Sequence, residues 1–175
     1  MDAQPPVVPA EVAARAGTAV RWARTLREAA GTLRHQAAAL KFHPLTGQRP
    51  EPAPALLAAL QQLEQVVQEI LQAQAEILVT DADLAALGDG ARRTLQAARQ
   101  AGARGAQVTA AAVQGLREVL QGRNGATLDA PYGHGAPRRP HPGALCTIAA
   151  QRAEELATAL ETGAVLVATL ALWPQ

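Results

Sequence analysis

Over residues 11–42 apolar side chains recur at alternating steps of four and three: Val12, Ala16, Ala19, Ala23, Leu26, Ala30, Leu33, Ala37 and Leu40. That spacing keeps one narrow apolar stripe on one side of an α-helix for about 45 Å, and a second helix lying along it is its natural cover. Alanine at alternate stripe positions lets the covering helix come close. Composition points the same way, since Ala, Leu, Arg, Gln and Glu are all strong helix formers and no alternating Val/Ile/Thr/Tyr run suggests a sheet. Aromatic residues are only 2% of the chain, so the core is shallow and built from Ala and Leu.

Three further helices are expected. One over 55–79 carries Leu56, Leu60, Leu63, Val67, Ile70 and Ile77, with Gln74 as a polar interruption; Leu57, Val66, Leu71 and Leu78 widen its stripe. Before it, the stretch from His43-Pro44 to Pro54 is rich in helix breakers. Thr80 reads as the N-cap of a third helix over 81–120, with Asp81 and Asp83 in its first turn. Gly88, Gly90, Gly102, Gly105 and Gly115 each cost about 1 kcal/mol relative to Ala; one long helix is expected, with 88–90 as the place where it could break. A last helix spans about 144–172, with Ala149, Ala153, Leu156, Leu160, Gly163, Val167 and Leu170 in heptad register. Its end, 164–172, is apolar all round.

The expected architecture is all-α: an elongated antiparallel bundle of about four long helices with one long irregular loop before the last. A flexible lead (1–10) precedes a three-helix antiparallel region (11–122), a Gly/Pro-rich loop (123–144) and a C-terminal segment (145–175) whose helix packs on the same bundle. The first helix is basic through Arg24, Arg27, Arg34 and Lys41. The second is acidic through Glu64, Glu69 and Glu76, and the third is basic through Arg92, Arg93, Arg99, Arg104 and Arg117. Pairing of the acidic helix with both basic ones is therefore expected, although exposed pairs contribute little each.

Candidate chemistry is sparse. The chain has no serine, which removes every Ser-nucleophile mechanism. His134, His141 and Cys146 lie near one another, but without a second Cys they lack the paired spacing of a structural metal site, and a solvated loop is the better reading. His35 and His43 have no identifiable partner. Glu154 and Glu155 are sequential and point in different directions from a helix. No Glu-x-x-His pair and no P-loop occurs. No catalytic residue, metal, cofactor or small-molecule substrate is expected.

Cys146 is the lone cysteine, so an intrachain disulfide is excluded. The first residues have neither the basic start nor the apolar run of a signal peptide, and 164–172 is too short to span a bilayer. A cytoplasmic protein is expected. A formal charge of +1 and the lack of aromatics for base stacking argue against nucleic acid, both for the first helix and for Arg138-Arg139.

From about 63 to 135, under half the chain, the sequence resembles the FlgN-type flagellar export chaperones. The segment from Glu76-Ile77-Leu78-Val79 through Thr80-Asp81-Ala82-Asp83 to Leu84-Ala85-Ala86-Leu87 is similar to that family's join between its first two helices. A helix with Leu95, Val108, Val113, Leu116 and Leu120 then leads to Tyr132-Gly133-His134-Gly135, which resembles an element that follows the family's final long helix. Ala and Arg replace the Asn usual in that helix, and the first and last helices lie outside the likeness. The resemblance implies a non-catalytic helical chaperone that holds helical segments of hook-associated proteins.

Two readings follow. In the first the protein binds an amphipathic helix of a partner, with Leu63, Val67, Ile70, Leu156, Leu160 and Val167 as the contact positions. In the second it is a self-associating structural helical bundle whose seams satisfy one another. A basic nucleic-acid-associated helical protein is a third class.

Overall fold

The computed structural model describes residues 8–40, 53–121 and 141–169. Within them the chain is all-helical, with five α-helices and no strand: α1 (Ala10–Ala37), α2 (Pro54–Gln72), α3 (Asp81–Ala85), α4 (Asp89–Leu120) and α5 (Pro142–Thr169). The expected lead and irregular loop fall largely on residues 1–7 and 122–140, outside the described residues, as do Lys41, Phe42, His43, Tyr132, His134 and Arg138-Arg139.

α1 starts behind Pro9, whose carbonyl accepts from the Ala13 N–H. Its heptad stripe turns inward as expected: Val12, Ala19, Ala23, Leu26, Ala30 and Leu33 are buried, Ala16 and Ala37 half-buried. The helix ends at Ala37, short of the expected residue 42. There the turn tightens, with Ala39 donating to Gln36 and Leu40 to Ala37, and this swings Leu40 into the core.

α2 has Pro54 in its first turn, where a missing N–H costs nothing. It ends at Gln72, not at 79 as its apolar pattern suggested. A single 3-10 turn (Gln74–Glu76) follows, and Ile77, Leu78 and Val79 are non-helical and all buried. Burial explains the break. Three successive helical residues point about 100° apart and cannot all face one core, whereas an irregular segment can turn all three inward. The Val79 N–H donates to the Ile77 carbonyl at 2.7 Å around Leu78, whose φ is +67°. This γ-turn with positive φ is a strained conformation, costing about 1–3 kcal/mol for a leucine.

Thr80 caps α3 as expected, through a reciprocal capping box: Asp83 N–H donates to Thr80 Oγ1 at 3.1 Å and Thr80 N–H to Asp83 Oδ2 at 2.9 Å. The expected long third helix is two helices, broken at 86–88. Arg92 holds the break by donating to the carbonyls of Leu84 (3.0 Å) and Leu87 (2.8 Å). α4 then runs unbroken through Gly102, Gly105 and Gly115. Gly102 and Gly105 are sites of close approach: an added Cβ would come within 3.1 Å of Ile77 and 3.0 Å of Leu156, respectively. Val108, placed with the apolar positions of this helix, faces outward.

α5 begins at Pro142, a little before the expected 144–145. His141 acts as its N-cap, with Nδ1 accepting from the Gly143 N–H at 3.0 Å. Gly143 in turn lets the start of α5 lie against the Ala37 carbonyl, 2.9 Å from where a Cβ would stand. α1 and α4 each pack on both α2 and α5. Arg27 and Arg34 of α1 meet Glu161 and Glu154 of α5, while Gly102 and Gly105 of α4 meet Leu160 and Leu156.

Candidate functional site

The six positions expected to meet a partner are all inside the molecule. Leu63, Val67 and Ile70 of α2 and Leu156, Leu160 and Val167 of α5 are buried by neighbouring helices of the same chain. In this conformation none offers a face to another protein, because the heptad stripes cover one another. Periodicity identified what is buried but carried no information on which chain does the burying.

The charges also pair differently from expectation. Arg27 Nε donates to Glu161 Oε1 at 2.6 Å, and Arg27 Nη2 to Thr158 at 3.0 Å. Arg34 grips Glu154 with two parallel bonds of 2.7 and 2.9 Å. The basic face of α1 is thus engaged by α5, not by acidic α2. Both pairs recur at heptad spacing on the α5 side of α1, one step around the helix from the core stripe. The bond from Arg34 holds the Glu154 carboxyl below its ordinary range, and the Glu154 and Glu161 carboxylates raise the guanidinium groups of Arg34 and Arg27 further. α2 meets α1 through Trp22 Nε1, which donates to Glu69 at 3.1 Å. The expected α2–α4 attraction is present, Arg117 donating to Glu64 through Nε at 2.7 Å and also through Nη2.

Among the described residues no three His, Cys, Asp or Glu side chains gather as a metal site. His141 is spent on capping, and Cys146 is buried in α5, where desolvation pushes its thiol up to about 11. A thiol so placed stays protonated at neutral pH and has no nucleophilic character. No described helix is long and apolar enough to cross a membrane.

The most exposed large apolar side chain instead stands on the last turns of α5. Val165 is 59% exposed, and no charged residue occurs from Thr162 to Thr169. A shallow groove of about 750 Å³ lies on one side of this crest, between Ala164, Val165 and Ala168 of α5 and Ala16, Gly17 and Val20 of α1. A second, of about 580 Å³, lies on the other side, where Gly163 and Leu166 face Ala97, Ala98 and Ala101 of α4. Arg24, Glu28 and Arg93 stand at the rims; Arg24 and Glu28 form no side-chain hydrogen bond or ion pair with another described residue. The all-round apolar character of 164–172 was the sequence signal for this crest. Val20, next to the buried stripe position Ala19, gave no signal until α1 and α5 were seen side by side.

Comparison of the chain with protein-family models, curated proteins and solved structures finds no match.

Proposed function

We propose that this chain is a non-catalytic cytoplasmic helical binding protein, of the export-chaperone or adaptor type, whose four long helices close as an elongated antiparallel bundle and whose outer surface takes an amphipathic helix of a partner. The observation that carries the reading is the uncharged crest at the end of α5, with Val165 standing between two shallow apolar grooves. A docked helix would cover Val165, Ala164 and Ala168 together with Val20 of α1. Arg24 and Arg93 at the rims favour a helix with an acidic flank. The resemblance of 63–135 to FlgN-type chaperones supports the same class of activity. The contact face lies outside the seam residues Leu63, Val67, Ile70, Leu156, Leu160 and Val167, which serve the internal core.

The test is Val165→Glu and Val20→Asp, both at exposed positions. Each variant keeps the wild-type helicity and unfolding midpoint but loses a helical partner that co-purifies with the wild type from its host. Retention of the same partner at wild-type yield by both variants rejects the surface. A second reading, self-association through the same crest, is favoured by the opposite charges of Arg24 and Glu28 at one rim. It predicts a mass that rises with concentration in sedimentation equilibrium and falls to the monomer in Val165→Glu. The nucleic-acid reading is weakened by the engagement of Arg27 and Arg34 with carboxylates.

A further inference from the structure

Among the described residues Leu78 is the one non-glycine residue with positive φ, and its side chain is fully buried. The place it occupies is made by an absence. Gly163 of α5 leaves a slot there, and any Cβ at that position would collide with Leu78 Cδ1, with the Ala98 methyl of α4 close by. The opposite side of the joint is gripped by charge. Arg15 of α1 reaches the Leu78 carbonyl at 3.5 Å and pairs with Asp83. Arg99 of α4 donates to the carbonyls of Ala75 (3.1 Å) and Val79 (3.3 Å) and pairs with Asp81 at 2.8 Å. A strained turn persists only where its surroundings over-determine it. Here they come from three helices, and α5 contributes the apolar slot at Gly163 into which Leu78 is inserted.

α5, like α1 and α4, carries little bulk at its buried face. That face is mostly Ala and Gly, with Leu156, Leu160 and Val167 as its large aliphatic side chains, whereas the shorter α2 buries Leu56, Leu60, Leu63, Val66, Val67 and Ile70. The ion pairs of α5 with α1 are between a third and a half exposed, so they add little. Shallow grooves flank its last turns on both sides.

We propose that Leu78 is a conformational latch: the positive-φ turn holds only while α5 presents Gly163, so release of the last turns of α5 and relaxation of the 77–83 joint are one event. The two regions are far apart in sequence and are coupled through one side chain in one slot. A pull on the end of α5 is thereby transmitted to the connection between α2 and α4. The latch does not depend on the binding reading and is tested without any partner.

The experiment is amide hydrogen exchange by mass spectrometry on the full-length wild type, Gly163→Ala, Leu78→Ala, the double variant, and Gly115→Ala as a control in open space. In Gly163→Ala, exchange rises about tenfold or more in both 77–83 and 160–169, while 56–70 keeps its wild-type protection. The double variant is better protected than Gly163→Ala, because removing the Leu78 bulk makes room for the new methyl. Gly115→Ala exchanges no faster than wild type. Acceleration in only one of the two regions, equal acceleration in all helices, no acceleration, or absence of rescue overturns the latch. Should Gly163→Ala not fold, Leu78→Ala alone decides: paired acceleration of the two regions supports the latch, and any other pattern rejects it.

Discussion

Cys146 and Glu154 lie on the same helix, and their surroundings move them in opposite senses. Burial pushes the Cys146 thiol up to about 11, because a thiolate inside an Ala-lined interface has lost its water. Native protein at neutral pH should therefore resist iodoacetamide for hours and label completely in denaturant, as mass spectrometry would show. Glu154 is held low by the bond from Arg34, so its folded value lies beneath its unfolded one. Its contribution is fully present above the ordinary carboxylate value of about 4.5 and fades as pH falls through the lower folded value. Glu154→Gln should cost less than about 1 kcal/mol at pH 7, since the pair is partly exposed. Denaturation midpoints measured from pH 6 to 3 should fall less steeply in that variant than in the wild type.

At the scale of the element, the glycines show how one residue type serves opposite ends. Gly17 in α1 and Gly115 in α4 have open space where a side chain would stand. Ala at either should stabilise by about 1 kcal/mol, the ordinary helix-propensity gain. Gly143 begins α5 against the Ala37 carbonyl, a backbone atom that cannot step aside. Ala there should destabilise by about 1–3 kcal/mol through overpacking, and urea midpoints of the three variants would reveal the reversal of sign. The ends of elements were legible where local chemistry wrote them. Thr80 is the N-cap that its place before two acids announces, and the break at 86–88 lies next to the glycines where the helix could break. The end of α2 was not legible. Its apolar pattern continues in helical register through Ile77, and only the need to bury Ile77, Leu78 and Val79 together pulls the chain out of the helix.

On the scale of the whole molecule, stability rests on a modest set of leucines within a field of alanine. Burying a leucine contributes about 1.5–3 kcal/mol, and its loss also leaves a cavity. Leu63→Ala in α2 and Leu156→Ala in α5 should each cost about 2–5 kcal/mol, a large part of a typical 5–15 kcal/mol total. Val165→Glu, on the exposed crest, should leave the thermal midpoint within experimental scatter. Calorimetry on the three variants distinguishes seam from surface: a small loss in Leu63→Ala would mean that α2 is not covered by its own chain. The exposed candidate surface was visible in the sequence only as an excess of apolar residues near the C-terminal end of α5. Its crest and grooves arise because α1 and α4 approach α5 from opposite sides, leaving Val165 uncovered between them.

The sequence by itself determined that this protein is helical, where its stripes run and that they would be buried, because helical period and propensity are local properties of the chain. Tertiary structure alone decided which helix covers which stripe. It set Arg27 and Arg34 against α5, buried the six seam residues among helices of the same chain, and drew Leu78 into a backbone conformation that leucine avoids. Those outcomes depend on contacts between residues far apart in sequence, and local pattern holds no record of them.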